Sequence, residues 1–315
     1  MRQSATPKIT EYALLVVLAS LWAASYTFIK IGVETIPPLT LMAARTLIAG
    51  LLLLVVLRLR GIPFPTDIRT SGQMLVQAVV NTVLPFTFIA WSETSIDAGV
   101  AVVLNATTPL FAFMIGAVAL QREAVTPRKS FGVILGIIGV AIIVGPNALS
   151  RLGTDVVPQL VVVAASVCFA CGAIYGKNFS KMDPMIPAAG SMLLGGVLLL
   201  PPALLVDRPW TLSPSQSSLV ALVCLAVFTT ALAFSIFFRL VRTLGSIAVT
   251  AQAYLRAPIG VLIGAALLHE RVGWNVWAGL AVVLVSVTLV SVNAALRRAP
   301  APTPAPAPAV KRVAR

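Results

Sequence analysis

Ten apolar stretches, each close to one membrane thickness long as helix, leave this chain few ways to fold. They run at about 12–31, 38–57, 71–91, 98–120, 130–146, 157–176, 186–206, 218–238, 246–268 and 274–294. A hydrocarbon core about 30 Å thick is crossed by roughly 20 apolar residues in helical form, and lipid tolerates no unpaired backbone group. Only 10% of the 315 residues are charged, against roughly a quarter in soluble domains. So few charges do not cover a wet surface, and much of this one faces lipid. The expected fold is all-α integral membrane, with ten transmembrane helices. The first run is too long for a signal-peptide core, and Lys30 is no small-residue cleavage site, so that run counts as a span.

The count is checked by the distribution of Lys and Arg over alternate loops, because cytoplasmic loops hold the excess. One side carries Arg2 and Lys8, then Arg58, Arg60 and Arg69, then Arg122, Arg128 and Lys129. It continues with Lys177 and Lys181, Arg239 and Arg242, and finally Arg297, Arg298, Lys311, Arg312 and Arg315. The opposite side has only Arg151, Arg208 and Arg271, while Lys30, Arg45 and Arg256 fall within spans. Adding or removing one helix scrambles this partition. Both termini are therefore expected in the cytoplasm of a bacterial cell, with the protein in the inner (plasma) membrane.

The net charge of +13 does not point to nucleic acid, because the basic residues are dispersed in short loops rather than gathered in a phosphate-binding patch. Cys168, Cys171 and Cys224 are too few for a disulfide framework. Cys168 and Cys171, one helical turn apart in an apolar run without a second pair, read as small apolar filler rather than metal ligands. Neither a cofactor nor a metal is expected. Residues 1–11 form a cytoplasmic N-terminus, 12–146 and 157–294 two five-helix units, and 299–315 a basic tail. The Ala/Pro/Thr alternation of that tail buries no core and is expected to be disordered.

The two units resemble each other. Glu123, Val125 and Gly132 match Glu270, Val272 and Gly279 at an offset of 147. Thr108-Pro109-Leu110 sits where Ala257-Pro258-Ile259 sits, Ile115-Gly116-Ala117 parallels Ile263-Gly264-Ala265, and Ala19-Ser20 parallels Ala165-Ser166 at an offset of 146. Five spans per repeat is odd, so the second copy enters the membrane upside down. Inverted repeats of this kind are typical of secondary transporters with a site between the halves.

The run Leu21-Trp22-Ala23-Ala24-Ser25-Tyr26-Thr27-Phe28-Ile29-Lys30, followed by Pro37-Pro38-Leu39 and Ala44-Arg45, resembles the opening of an EamA-type domain. The stretch from Pro109 through Glu123 to Gly132-Val133-Ile134-Leu135-Gly136 resembles that domain's later signature, and Pro258 through Glu270 to Gly279 its second copy. The resemblance covers about residues 12–294 and places the chain near the drug/metabolite transporter superfamily. It implies a ten-helix, inverted-repeat carrier, often an exporter of amino acids or related metabolites. The second copy departs at its start, where Phe169-Ala170-Cys171-Gly172 replaces the Trp-containing run and no arginine matches Arg45.

Charged groups inside spans are costly and usually face protein or a wet cavity. Arg256 lies about ten residues into the ninth span, roughly 15 Å deep at 1.5 Å per residue. It shares a polar, small-residue face with Ala248, Gln252, Gly260 and Gly264, away from Leu255, Ile259 and Leu262. Pro258 is expected to loosen the helix beside it and free carbonyls. Arg256 is therefore read as a cation at the substrate site, against the alternative of an arginine satisfied by freed carbonyls or a neighbouring helix. Arg45 is read equally as a site group, a gate, or an arginine snorkelling to the outer surface. Lys30, near the outer end of the first span, is a gate or rim residue that snorkels readily. It shares a stripe with Trp22 and Tyr26, which line the path or simply pack.

Asn81, on a stripe with Gln73, Gln77 and Pro85, and Asn105, with Ala98, Ala101, Thr108 and Ala112, are candidates for substrate contact or for tying helices together. Tyr175 and Tyr254 are candidate cavity or rim aromatics. All ten carboxylates lie near span ends or in loops, so none is expected to serve as a midplane proton relay, and facilitated diffusion or exchange is expected instead. Hydrolase or zinc-protease chemistry needs histidines within the membrane beside a nucleophile or metal, and the single His269 sits at an outer helix end. The expected activity is carriage of a small carboxylate-bearing molecule by a monomer or homodimer in lipid, without catalysis or nucleic-acid partner. Nucleobases, sugars and drug-like compounds are the alternative cargoes, and a channel-like protein the alternative class.

Overall fold

The computed structural model describes residues 8–119, 126–144, 156–244, 249 and 252–297. Glu123 and the tail at 299–315 lie outside them. The described residues are all-helical, in ten segments: α1 Lys8–Val33, α2 Pro38–Leu59, α3 Ile68–Ser92, α4 98–119, α5 Pro127–Val144, α6 Val156–Phe179, α7 Met185–Asp207, α8 216–243, α9 Gln252–Leu267 and α10 Trp274–Arg297. Seven of these (α1 to α4 and α6 to α8) are long and apolar enough to cross a membrane. α9 and α10 add shorter apolar stretches, Leu255–Leu267 and Trp274–Leu289.

Local chemistry sets the ends. Pro38 opens α2 behind an extended Pro37, which suits a ring that fixes φ and lacks an N–H the first turn does not use. Gly61, with φ of 67°, lets the chain leave α2 in the left-handed region. Asp67 caps α3 by accepting the Thr70 amide at 2.8 Å, and hydrogen bonds from Thr70 hold its carboxyl below the usual carboxylate range. Ser215 caps α8 through the Ser218 amide.

Inside the helices the ladder is interrupted at related places. α3 widens to a π turn at Val79–Val83 and α8 at Val227–Leu232, positions that correspond at the repeat offset. α4 breaks at Ala106-Thr107, ahead of Pro109. There the hydroxyls of Thr107 and Thr108 donate to the carbonyls of Leu104 at 2.6 Å and Asn105 at 2.8 Å. The matching Pro258 does not break α9, which runs as continuous α-helix from Gln252 to Leu267. The loosening expected at Pro258 is found instead in its first-half counterpart, where two threonines are present to satisfy the freed carbonyls.

Packing interleaves the halves. α1 packs on α8 and α9; its repeat-mate α6 packs on α3 and α4. α2 pairs with α7, α4 with α9 and α5 with α10. Advancing every label by five returns the same set of neighbours, so the arrangement has a pseudo-two-fold axis. The sense of the axis is read from close approaches. Gly50 meets Leu193 and Gly196 meets Leu47; Gly260 meets Val102 and Gly264 meets Gly99; Gly139 meets Val283 and Gly279 meets Ile143. Numbering rises along one helix and falls along its partner in all three pairs, so each of these six helices runs antiparallel to its own repeat-mate. The second copy is inverted relative to the first.

Candidate functional site

Where α4 breaks, Asn105 is presented to three other helices. Its Oδ1 accepts the Tyr26 hydroxyl from α1 at 2.9 Å and Arg256 Nη2 from α9 at 3.0 Å, and its Nδ2 donates to Ser166 Oγ of α6 at 3.2 Å. One amide thus joins two helices of the first half to the pseudo-equivalent region of the second. Arg256 is half-buried, and its Nε is buried without a hydrogen-bond partner. No carboxylate among the described residues pairs with it. A guanidinium offers five donors, and among the described residues one neutral acceptor, Asn105, meets it without a counter-charge.

A second arginine lies in the same interior. Arg45 of α2 is 5% exposed; its Nε donates to Thr230 Oγ1 at 3.0 Å, and its guanidinium stands 4.3 Å over the Phe86 ring. The snorkelling alternative for Arg45 is therefore replaced by a side chain turned inward between α3 and α8. Thr230 is offered by the π turn of α8, a distortion frequent at functional positions. Tyr26 stands within electrostatic range of Arg256, Glu93 and Arg45, which places both cations around one tyrosine.

The other candidates distribute differently. Gln252 is 8% exposed with its Oε1 unpartnered, one helical turn before Arg256. Asn81 packs directly on Gly172 of α6, where Gln77 also donates to the Gly172 carbonyl at 3.2 Å; these amides tie α3 to α6. Trp22 meets Phe234 edge-on at 5.8 Å and Phe237 at a tilt at 5.5 Å, both on α8, and Tyr175 packs on Phe179 at 6.2 Å. The side chain of Tyr254 lies outside the described residues. Lys30 does not extend outward: its Nζ donates to the carbonyls of Glu93 at 2.7 Å and Ile96 at 2.9 Å.

Lys30 belongs to a set of hydrogen-bonded ties that join helix ends at one end of the molecule. Glu270, in the loop after α9, accepts the amides of Ala98 and Gly99 at 2.7 and 3.0 Å and so caps α4 from the opposite half. Asp207 of α7 does the same for α2, accepting Thr40 N–H and Oγ1–H, both at 2.8 Å. Ser218 of α8 donates to the Ile31 carbonyl of α1 at 2.8 Å. Behind these ties lies a group that sequence reading missed. Glu93 falls in a loop by sequence, yet it is 0% exposed and neither carboxyl oxygen has a hydrogen-bond partner. Glu93 lies beside a span end, as the sequence places it, but that position does not mean solvation. Nothing in the local sequence Ser92-Glu93-Thr94 signals it; Lys30 and Glu270 arrive from elsewhere in the chain.

The comparisons with known proteins agree with this architecture. The chain is 28% identical over 284 residues to an uncharacterized inner membrane transporter, YedA, of Escherichia coli (strain K12), covering 90% of each. It is 27% identical over 302 residues to an uncharacterized transporter, YvbV, of Bacillus subtilis (strain 168), covering 93% of this chain and 95% of that one. A solved crystal structure shares the fold with a TM-score of 0.65 at 16% identity, over 92% of this chain and 99% of the other. Residues 10–145 and 157–292 each match the EamA-like transporter family. A helical chain with two inverted copies of one unit, matching that family over both, belongs to the EamA-like transporters and is a multi-pass membrane transporter.

Proposed function

We propose that this chain carries amino acids or related carboxylate-bearing metabolites out of the cell, by alternating access around a central cavity between the halves. The observation that supports this reading is the Arg256 guanidinium, which among the described residues is held by Asn105 Oδ1 at 3.0 Å and by no carboxylate, with Nε unpartnered. A half-buried cation without a described counter-charge attracts a carboxylate, and bidentate pairing with guanidinium supplies both charge and geometry. Tyr26 and Gln252 offer neutral polar contacts beside it, and Arg45 a second positive field. In this reading ten helices cross the bacterial inner membrane with both termini inside. The end closed by Lys30, Glu270 and Asp207 then faces outward, and the residues grouped around Asn105 await cargo from the cytoplasm.

The test is counterflow in proteoliposomes with a panel of radiolabelled amino acids, nucleobases and sugars. At least one carboxylate-bearing compound is expected to exchange with saturation. Arg256→Gln is expected to reduce that exchange by at least about tenfold, the loss of one charge-assisted contact of ~1.5–3 kcal/mol. Unchanged exchange in Arg256→Gln removes the carboxylate reading. A second reading, an aromatic or drug-like cargo, draws support from the Trp22, Phe234 and Phe237 cluster, and exchange confined to uncharged aromatic compounds would establish it.

A further inference from the structure

Glu93 has no part in the cargo reading, and its surroundings define what it does. It lies at the end of α3 under the ties that close one face, with Lys30 and Tyr26 near it from α1, Arg45 from α2 and Glu270 from the loop after α9. None of these forms an ion pair with it: Lys30 gives its hydrogen bonds to the backbone carbonyls of Glu93 and Ile96, and Glu270 gives both oxygens to the start of α4. An ionised carboxylate left in this position, without solvent and without a donor, carries a cost of several kcal/mol. The neutral acid avoids it. Burial without a donor therefore favours the protonated form of Glu93.

We propose that Glu93 is a proton-binding site coupled to the opening of this face. With Lys30 and Glu270 latched, the carboxyl is buried and protonated; when the latches part and water reaches it, the O–H bond breaks, the proton passes to external water and the carboxylate is hydrated. The next closure takes a proton back from that side. Linkage fixes the sign. The closed state binds one more proton than the open state, so acid favours closure and rising pH favours opening, by up to about tenfold in the open-to-closed ratio per pH unit. A carrier built this way responds to external pH whatever its cargo.

The experiment needs no substrate, so its failure is separable from failure of the carboxylate reading. The full chain in lipid nanodiscs, with Cys168, Cys171 and Cys224 replaced by alanine, is spin-labelled through Ser95→Cys and Trp274→Cys, both exposed positions on the closed face. Distances are measured by pulsed electron resonance from about pH 5 to about pH 9, a window bracketing a raised carboxyl. The longer-distance population is expected to grow with pH in the Glu93 parent and to stay low and flat in Glu93→Gln, which keeps the neutral shape without the proton. Infrared difference spectra of the parent are expected to contain a neutral carboxylic-acid carbonyl band that Glu93→Gln lacks. A parent distance distribution indifferent to pH, the same titration in Glu93→Gln, or absence of the acid band from the parent would each overturn the proposal.

Discussion

Asn105 spends one carbonyl oxygen on two donors from different helices, which makes it the most exacting residue in the interior. Replacing it by alanine strands the Tyr26 hydroxyl and Arg256 Nη2 together. The expected cost is about 1–3 kcal/mol per stranded group, measured as a lower unfolding temperature in detergent. Asn105→Asp is the sharper probe. It hands Arg256 an internal counter-ion at the distance where the amide now sits, 3.0 Å. The fold is expected to survive with an unchanged or higher unfolding temperature, while exchange of carboxylate cargo falls by at least about tenfold, as expected when a buried charge loses its external partner. Arg256, Asn105 and Tyr26 were visible in the sequence because polar groups inside apolar runs are rare. Thr230, Ser166 and Glu93 were not, since a hydroxyl is common in membrane helices and burial of a loop carboxyl depends on chains that meet it only in three dimensions.

At the level of helices, contact between the halves rests on glycine. A Cβ placed on Gly50 would come within 2.8 Å of the Leu193 backbone, and one on Gly196 within 2.9 Å of the Leu47 backbone. Backbone does not yield as a flexible side chain does, so Gly50→Leu and Gly196→Leu are each expected to cost about 1–3 kcal/mol by overpacking. Gly72, which has open space around it, is the matched control, and Gly72→Leu is expected to leave the unfolding temperature unaltered or slightly raised, because glycine is the poorer helix former. At the start of α3, Asp67 is held below the usual carboxylate range by Thr70. A depressed carboxyl stabilises the cap above its unperturbed titration range and loses that effect as pH falls through its own. Asp67→Asn is therefore expected to flatten the acid limb of the stability profile. Helix positions were legible from hydropathy, but the π turns of α3 and α8 were not: Val79–Val83 and Val227–Leu232 look like ordinary apolar helix, and only the packing partners select the wider turn.

For the molecule as a whole, the pairing of α2 with α7, α4 with α9 and α5 with α10 makes the interior an interface of the chain with an inverted copy of itself. The repeat was readable in the sequence from the shared offsets of Glu123 and Glu270 and of Gly132 and Gly279, though no spacing disclosed which helices would pair. Orientation is testable in cells. A cysteine at Ser95 is expected to react with a membrane-impermeant maleimide added outside, and one at Ser180 only after permeabilisation. The opposite pattern would reverse the sidedness given to the closed face.

The scaffold is doubled but its charge is not. At an offset of 146 Arg45 falls on Ser191, and at 149 Arg256 falls on Thr107. Both counterparts are neutral hydroxyls that bond to carbonyls of their own helices. A backbone that treats its two ends as equivalent thus surrounds a lopsided electrostatic landscape, and a charged passenger meets different field on each side of the axis. Unequal occupancy of the two access states is the expected consequence: half-saturation by a charged cargo is expected to differ between the two sides of the membrane, while the direction of net flow is still set by the gradient.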